Sequence, residues 1–338
     1  MIETLPSETD VMPGLPERMY GSIVTPGIGL GTVCGLLSAV FYTLANISLR
    51  QSVSADPLLV TAVKALPTVV CLTPFLVTLK LRGIPITTSR HLVPRFIWIC
   101  LIGQVGGNAS FQVALGMIGL AAAVPITLGA LLIGSAIVGR ILLGESVLRR
   151  TAIAMAILMV AVVMLSQSGH PDPEAAGVVV TDNADELAYQ RWIGAGFAIF
   201  SGLCFAVFSS TMRFNLQKGM QAATAMWISG GVGFTAMFAL VAFRGGLADL
   251  AQMPASLWWS MIAAGVFNFI AFIAITTAMK VLPIVAVHLL NASQVAMAAM
   301  AGVVLFAEPV TTTLVIGIVL TMLGLLVLAR RRPSVQPG

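Results

Sequence analysis

Charge is the scarcest property of this sequence. Lys and Arg number 18 and Asp and Glu 13 among 338 residues, 9% together, where soluble domains carry about a quarter. With 58% hydrophobic residues and a mean hydropathy of +0.99, too few polar side chains remain to cover a water-exposed surface, which excludes a soluble globular domain. A membrane barrel is disfavoured, because its strands alternate apolar and polar residues over about ten positions, whereas the apolar runs here are long and unbroken. Cysteine is nearly as sparse: Cys34, Cys71, Cys100 and Cys204 all fall in apolar runs without paired spacing, a poor basis for a disulfide framework or a metal site. The three histidines, His91, His170 and His288, are far apart and no H-E-x-x-H is present, so an intramembrane metalloenzyme lacks its ligands. "GIGLG" at 27–31 has no preceding strand and does not read as a dinucleotide loop. The net charge of +5 is spread over short connections and builds no patch for nucleic acid.

What is present is lipid-soluble chain. In hydrocarbon every backbone amide must be satisfied within its own segment, so the fold expected is an all-α integral membrane protein. Spans of roughly 20 residues are expected at 28–48, 58–80, 95–116, 121–142, 150–167, 193–212, 222–243, 256–279, 284–306 and 312–329. Residues 1–27 form a polar tail that carries Glu3, Glu8, Asp10 and Glu17 and no apolar signal core; residues 331–338 form a second tail. The segment 168–192, "SGHPDPEAAGVVVTDNADELAYQRW", is acidic and proline-bearing and divides the spans into units at 28–167 and 193–330. With the N-terminus in the cytoplasm, fourteen of the 18 basic residues fall in inside segments or at their edges, so the positive-inside rule places both termini inside and the acidic linker outside.

The two units repeat. A gapless shift of 163 residues lays "GLLSAVFYTLANISLR" (35–50) on "AIFSGLCFAVFSSTMR" (198–213), matching Ser38 to Ser201 and Arg50 to Arg213. The same register lays 121–145 on 284–308 and matches Gly139 to Gly302 and Glu145 to Glu308. Apolar identities are cheap, but one register that also pairs an Arg and a Glu is not. Five spans per unit is an odd number, so the second unit enters the membrane from the opposite side, the arrangement of transporters that rock two halves about a central site.

Ten spans in two inverted units, with "LLGESVLRRTAIAMAILMVAVVML" and "LFAEPVTTTLVIGIVLTMLGLLVL" closing them, are similar to the EamA type of the drug/metabolite transporter superfamily over about residues 28–330. The resemblance implies a secondary transporter in a bacterial inner membrane. It further implies export of small metabolites such as amino acids, by alternating access, without a cofactor. Where members often carry Arg in the second span, this chain has Lys64, with Trp227 at the equivalent place in the second half.

All 13 acidic residues lie in tails, loops or helix ends, so the embedded carboxylate that a proton-coupled drug-cation exporter needs is missing. Multidrug cation efflux therefore ranks below metabolite transport, and an enzyme or a purely structural membrane protein ranks lower still. The polar residues inside the spans are the candidate substrate contacts: Gln104, Asn108 and Gln112 at four-residue spacing in the third span, Asn268 in the eighth, and Asn291 and Gln294 in the ninth. Each is either a substrate contact or an interhelical hydrogen bond. Lys64 either snorkels to the outer interface or holds a substrate carboxylate, and His288 either titrates or packs. Tyr42, Trp227 and Phe267 read as packing or interface aromatics. Glu145 and Glu308 each precede a helix and are expected to cap it against the positive end of its dipole, with a gate on each membrane face as the alternative. The partners expected are the lipid bilayer, a small-molecule substrate and a coupling proton; nucleic acid is excluded and a homodimer is open.

Overall fold

The computed structural model describes residues 27–83, 90–145, 149–166, 184–246, 250, 253–307 and 310–329. Among them there are helices and no strand. In chain order these are α1 (Ile28–Arg50), α2 (Pro57–Leu81), α3 (Val93–Leu101), a π-type stretch (Ile102–Ala109), α4 (Ser110–Leu143), α5 (Arg149–Ser166), α6 (Ala184–Gln217), α7 (Ala222–Phe243), α8 (Ala255–Val281), α9 (Ile284–Asn291), α10 (Gln294–Phe306) and α11 (Thr312–Ala329). Glu308, the terminal tails and most of the expected linker lie outside the described residues.

Among the described residues, seven segments are long and apolar enough to cross a membrane: Ile28–Arg50, Pro57–Leu81, Val93–Leu143, Tyr189–Gln217, Ala222–Phe243, Ala255–Val281 and Ile284–Phe306. Two shorter apolar helices, Ala152–Ala161 and Thr312–Gly324, accompany them. Val93–Leu143 has 51 residues, which as one straight helix would run about 76 Å, more than twice a hydrocarbon core. It is not one straight helix, because Gly119 has φ 74° and ψ 176°, a conformation open essentially to glycine alone. The expected ninth span is divided by a turn at Ala292–Ser293 between α9 and α10.

The surface is the reverse of a soluble protein's. Large apolar side chains face outward, among them Val33, Leu36, Leu37 and Val40 on α1, while Arg50, Arg213, Asn46, Gln112 and Gln294 are buried. Hydrocarbon solvates such an exterior, and polar groups turn inward to find partners. Exposed Trp98, Trp192 and Trp259 suit the interfacial aromatic belt.

Local sequence explains the boundaries. Asp56 caps α2 by accepting from the amides of Leu58 (2.7 Å) and Leu59 (3.1 Å), and Pro57 follows where its missing donor is not needed. Both α4 and α10 end on a left-handed residue, Gly144 (φ 67°) and Ala307 (φ 51°), which stand 163 positions apart. Packing joins the two parts of the chain: α4 lies along α6, α1 along α8, α5 along α11 and α2 along α7. Close approach needs missing side chains. A Cβ on Gly202 would lie 2.3 Å from the Thr127 carbonyl oxygen, and one on Gly134 would lie 2.6 Å from Ala206 Cβ. Small residues of this kind replace the hydrophobic driving force that lipid removes.

Candidate substrate cavity

Gln104 and Asn108 stand on the π-type stretch, whose sequence IGQVGGNA is glycine-rich for a packing reason. Cβ atoms at Gly103, Gly106 and Gly107 would meet Phe208, Cys204 and Phe205 of α6 at 2.9, 2.6 and 2.6 Å. The wide turn and the glycines let α6 press against this segment. The turn also changes which residues share a face. Gln104 and Asn108 remain neighbours, Asn108 Nδ2 donating to Gln104 Oε1 at 2.7 Å. After the return to α-helix at Ser110, Gln112 points elsewhere: it is buried and donates to the Leu49 carbonyl at 3.2 Å. The expectation that all three line one pathway is therefore corrected for Gln112, because four-residue spacing marks a single face only while the turn stays α-helical.

The other expected residues come together. Lys64, Gln104, Asn108 and Asn268 line a cavity of about 160 Å³, as do His288, Asn291 and Gln294 from the far wall. A smaller recess beside it is bounded by Thr61, Thr68, Gly230 and again Lys64, Gln104, Asn108 and Asn268. Lys64 does not snorkel outward: its Nζ donates to Asn108 Oδ1 at 2.7 Å. The chain continues through Asn108 to Gln104 and from Gln104 Nε2 to Ser229 Oγ at 3.0 Å. Across the cavity His288 Nε2 meets Ser209 Oγ at 3.0 Å, Asn46 Nδ2 donates to Gln294 Oε1 at 3.2 Å, and Ser38 Oγ donates to Asn291 Oδ1 at 3.1 Å. The walls between these polar ends are apolar, with Phe111, Phe205, Phe208 and Phe272.

Tyr42, expected to pack, lines the cavity, and so do Asn46, Thr127, Ser209 and Ser229, which the sequence reading passed over. Two signals pointed to some of them. Ser38, Tyr42 and Asn46 recur at four-residue spacing along α1, and the 163-residue register carries Tyr42 onto Phe205 and Asn46 onto Ser209. Thr127 and Ser229 stand alone in apolar runs, with no such signal. Trp227 instead donates to Thr73 Oγ1 at 2.9 Å, and Phe267 packs with Phe41 at 6.5 Å between ring centroids.

Glu145 lies away from the cavity lining. Its carboxylate accepts from Arg213 Nε at 2.7 Å and from the amide of Ile284 at 3.0 Å. Glu145 thus meets the first amide of α9, while the start of the helix that follows it in sequence, the cap expected for it, lies outside the described residues. Arg213 also donates to the carbonyls of Met279 and Leu282 at the end of α8. This buried clamp ties the end of α4 to α6, α8 and α9. Arg50, its counterpart in the repeat, is buried beside the Leu115 carbonyl and stacks over Phe306 at 5.8 Å.

Comparison with known proteins places this arrangement. The sequence model of the EamA-like transporter family, part of the drug/metabolite transporter superfamily, matches residues 192–330. Those residues belong to the EamA-like transporter family. No curated protein matches the chain. A solved structure described only as "Crystal structure of protein" is similar with 18% identity and a TM-score of 0.56, covering 88% of this chain and 96% of its own. At that identity the likeness establishes the fold alone. The EamA-like segment contributes most of α6 and all of α7 to α11, and with them Ser209, Ser229, Asn268, His288, Asn291 and Gln294 of the cavity. That match over part of the chain, together with the apolar helices of spanning length, supports a transmembrane transporter.

Proposed function

We propose that the chain is a secondary transporter, working in export, that carries small carboxylate-bearing metabolites, the class to which amino acids belong. The cavity between its two five-helix halves is alternately opened to each side. The observation that carries this reading is Lys64: a cation held by Asn108 at 2.7 Å in a cavity whose lining includes no acidic side chain among the described residues. Such a group attracts an anion and repels a cation.

Ten crossings follow if Val93–Leu143 counts as two, divided at Gly119, and α5 and α11 count as one each. The 163-residue register supports two inverted units. It carries 149–166 onto α11, 121–143 onto Ile284–Phe306, and Gly119 onto Leu282, where α8 ends. A Cβ on Gly31 would crowd Val281 and one on Gly194 would crowd Ile118, again the same pair of positions in both units. Both termini and the ends of the clamp are assigned to the cytoplasmic side by the distribution of basic residues.

Uptake of labelled carboxylate-bearing metabolites into proteoliposomes, against empty liposomes, tests the proposal. Lys64→Ala is expected to weaken apparent affinity for these solutes by about tenfold or more, the scale of a lost charge-assisted hydrogen bond, and to leave neutral solutes nearly unaffected. Strong transport of a quaternary ammonium dye, unchanged by Lys64→Ala, would replace this reading with cation efflux.

A further inference from the structure

The hydrogen-bond chain from Lys64 has only one possible direction. An ammonium donates and never accepts, so Asn108 must turn its oxygen to Lys64 and its nitrogen to Gln104. Gln104 must then receive on its oxygen and donate to Ser229. The amide orientations, which ordinary geometry leaves ambiguous, are fixed here by the charge at one end. Both amide oxygens nearest Lys64 are thereby engaged, whereas two of the three Nζ hydrogens remain to be offered to a ligand.

The rest of the lining adds no negative charge. Thr127 Oγ1 and His288 Nδ1 are buried against the cavity without a hydrogen-bond partner, and neither carries negative charge. An anion placed on Lys64 is neutralised there. A second, positive group on the same small molecule would sit within the same roughly 160 Å³ as Lys64, repelled by it and unmatched by any carboxylate. The walls toward which the substrate body extends are Phe205, Phe208, Phe272, Leu128 and Met279.

We infer that the preferred substrate is a monocarboxylate with an apolar body and no ammonium group, so that free amino acids are the poorer ligands of the site. This narrows the carboxylate reading above and rests on it. A charge series on one branched skeleton isolates the point: isocaproate carries the carboxylate alone, L-leucine carries carboxylate and ammonium, and isoamylamine carries the ammonium alone.

The experiment measures the concentration of each at which the melting temperature of the purified full-length protein is half-maximally raised, together with flux in proteoliposomes. Isocaproate should act at a concentration at least tenfold below that of L-leucine, and isoamylamine should not act. Lys64→Met should remove the preference. Asn268→Asp, which places a carboxylate on the wall shared with Lys64 at nearly constant volume, should weaken isocaproate and admit isoamylamine. That variant keeps the test decisive should Lys64→Met fold poorly. L-leucine binding as tightly as isocaproate, with both carried and both weakened by Lys64→Met, would overturn the inference while leaving carboxylate transport standing. Binding or flux of isoamylamine alone, or of none of the three, would overturn both.

Discussion

Ala307 holds φ 51° at the end of α10, alone among non-glycine residues described, at the place where the first half of the chain has Gly144. An L-residue in this region carries a steric cost of about 1–2 kcal/mol, and glycine carries an entropic one of about 0.5–1 kcal/mol. Ala307→Gly is therefore expected to stabilise the protein by about 0.5–1 kcal/mol, and Gly144→Ala to destabilise it by a similar amount, about 0.5–1 kcal/mol. Opposite shifts of the melting temperature for the two variants would bear this out; a lower melting temperature for Ala307→Gly would mean that the alanine methyl is packed favourably. Residue-level reading of the sequence found most of the polar cavity wall because Lys64, Asn268, Asn291 and Gln294 have few reasons to occur inside apolar runs. It misplaced Gln112 because a π-type turn has no signature in apolar periodicity. It passed over Thr127 and Ser229 because single hydroxyls inside helices usually bond their own backbone.

At the scale of helices, the clamp from Glu145 to Arg213 and Ile284 joins four elements at one end of the bundle. The apolar helices of spanning length were legible from hydropathy, yet the partners of Glu145 were not: only tertiary packing brings Arg213 and the first amide of α9 to it. The consequence is energetic. Loss of a local dipole contact costs about 0.3–1 kcal/mol, whereas loss of a charge-assisted bond from a side chain only 9% exposed, as Arg213 is, costs about 1.5–3 kcal/mol. Glu145→Gln should fall in the larger range when unfolding is followed in detergent, and Arg213→Gln further still, since it also leaves the Met279 and Leu282 carbonyls without this donor. A cost below 1 kcal/mol for Glu145→Gln would return it to the role of a simple cap. Under the proposed alternating access the clamp spans elements that separate as one side of the cavity opens, so both variants should also raise the rate of exchange relative to wild type, which proteoliposome counterflow would detect.

For the whole molecule, orientation and pathway are separate questions with separate readouts. In the assigned topology the turn after α1 faces outward and the end of α2 faces the cytoplasm. A cysteine at Gln51 should thus react with an impermeant thiol reagent in intact cells and one at Arg82 should not, both positions being exposed. The reverse pattern would invert the molecule without altering the cavity. The central claim is that solute passes through the space between the halves, and filling that space tests it most directly. Leu128 is buried on the cavity wall, and Leu128→Trp would occupy much of its volume. Flux of labelled isocaproate and labelled L-leucine should be measured in proteoliposomes bearing wild type or Leu128→Trp, each with a melting curve to verify folding. Wild type should carry at least one of them well above empty liposomes, and the folded Leu128→Trp protein should carry neither; equal flux through the two proteins, or none through wild type, would contradict transport by this cavity.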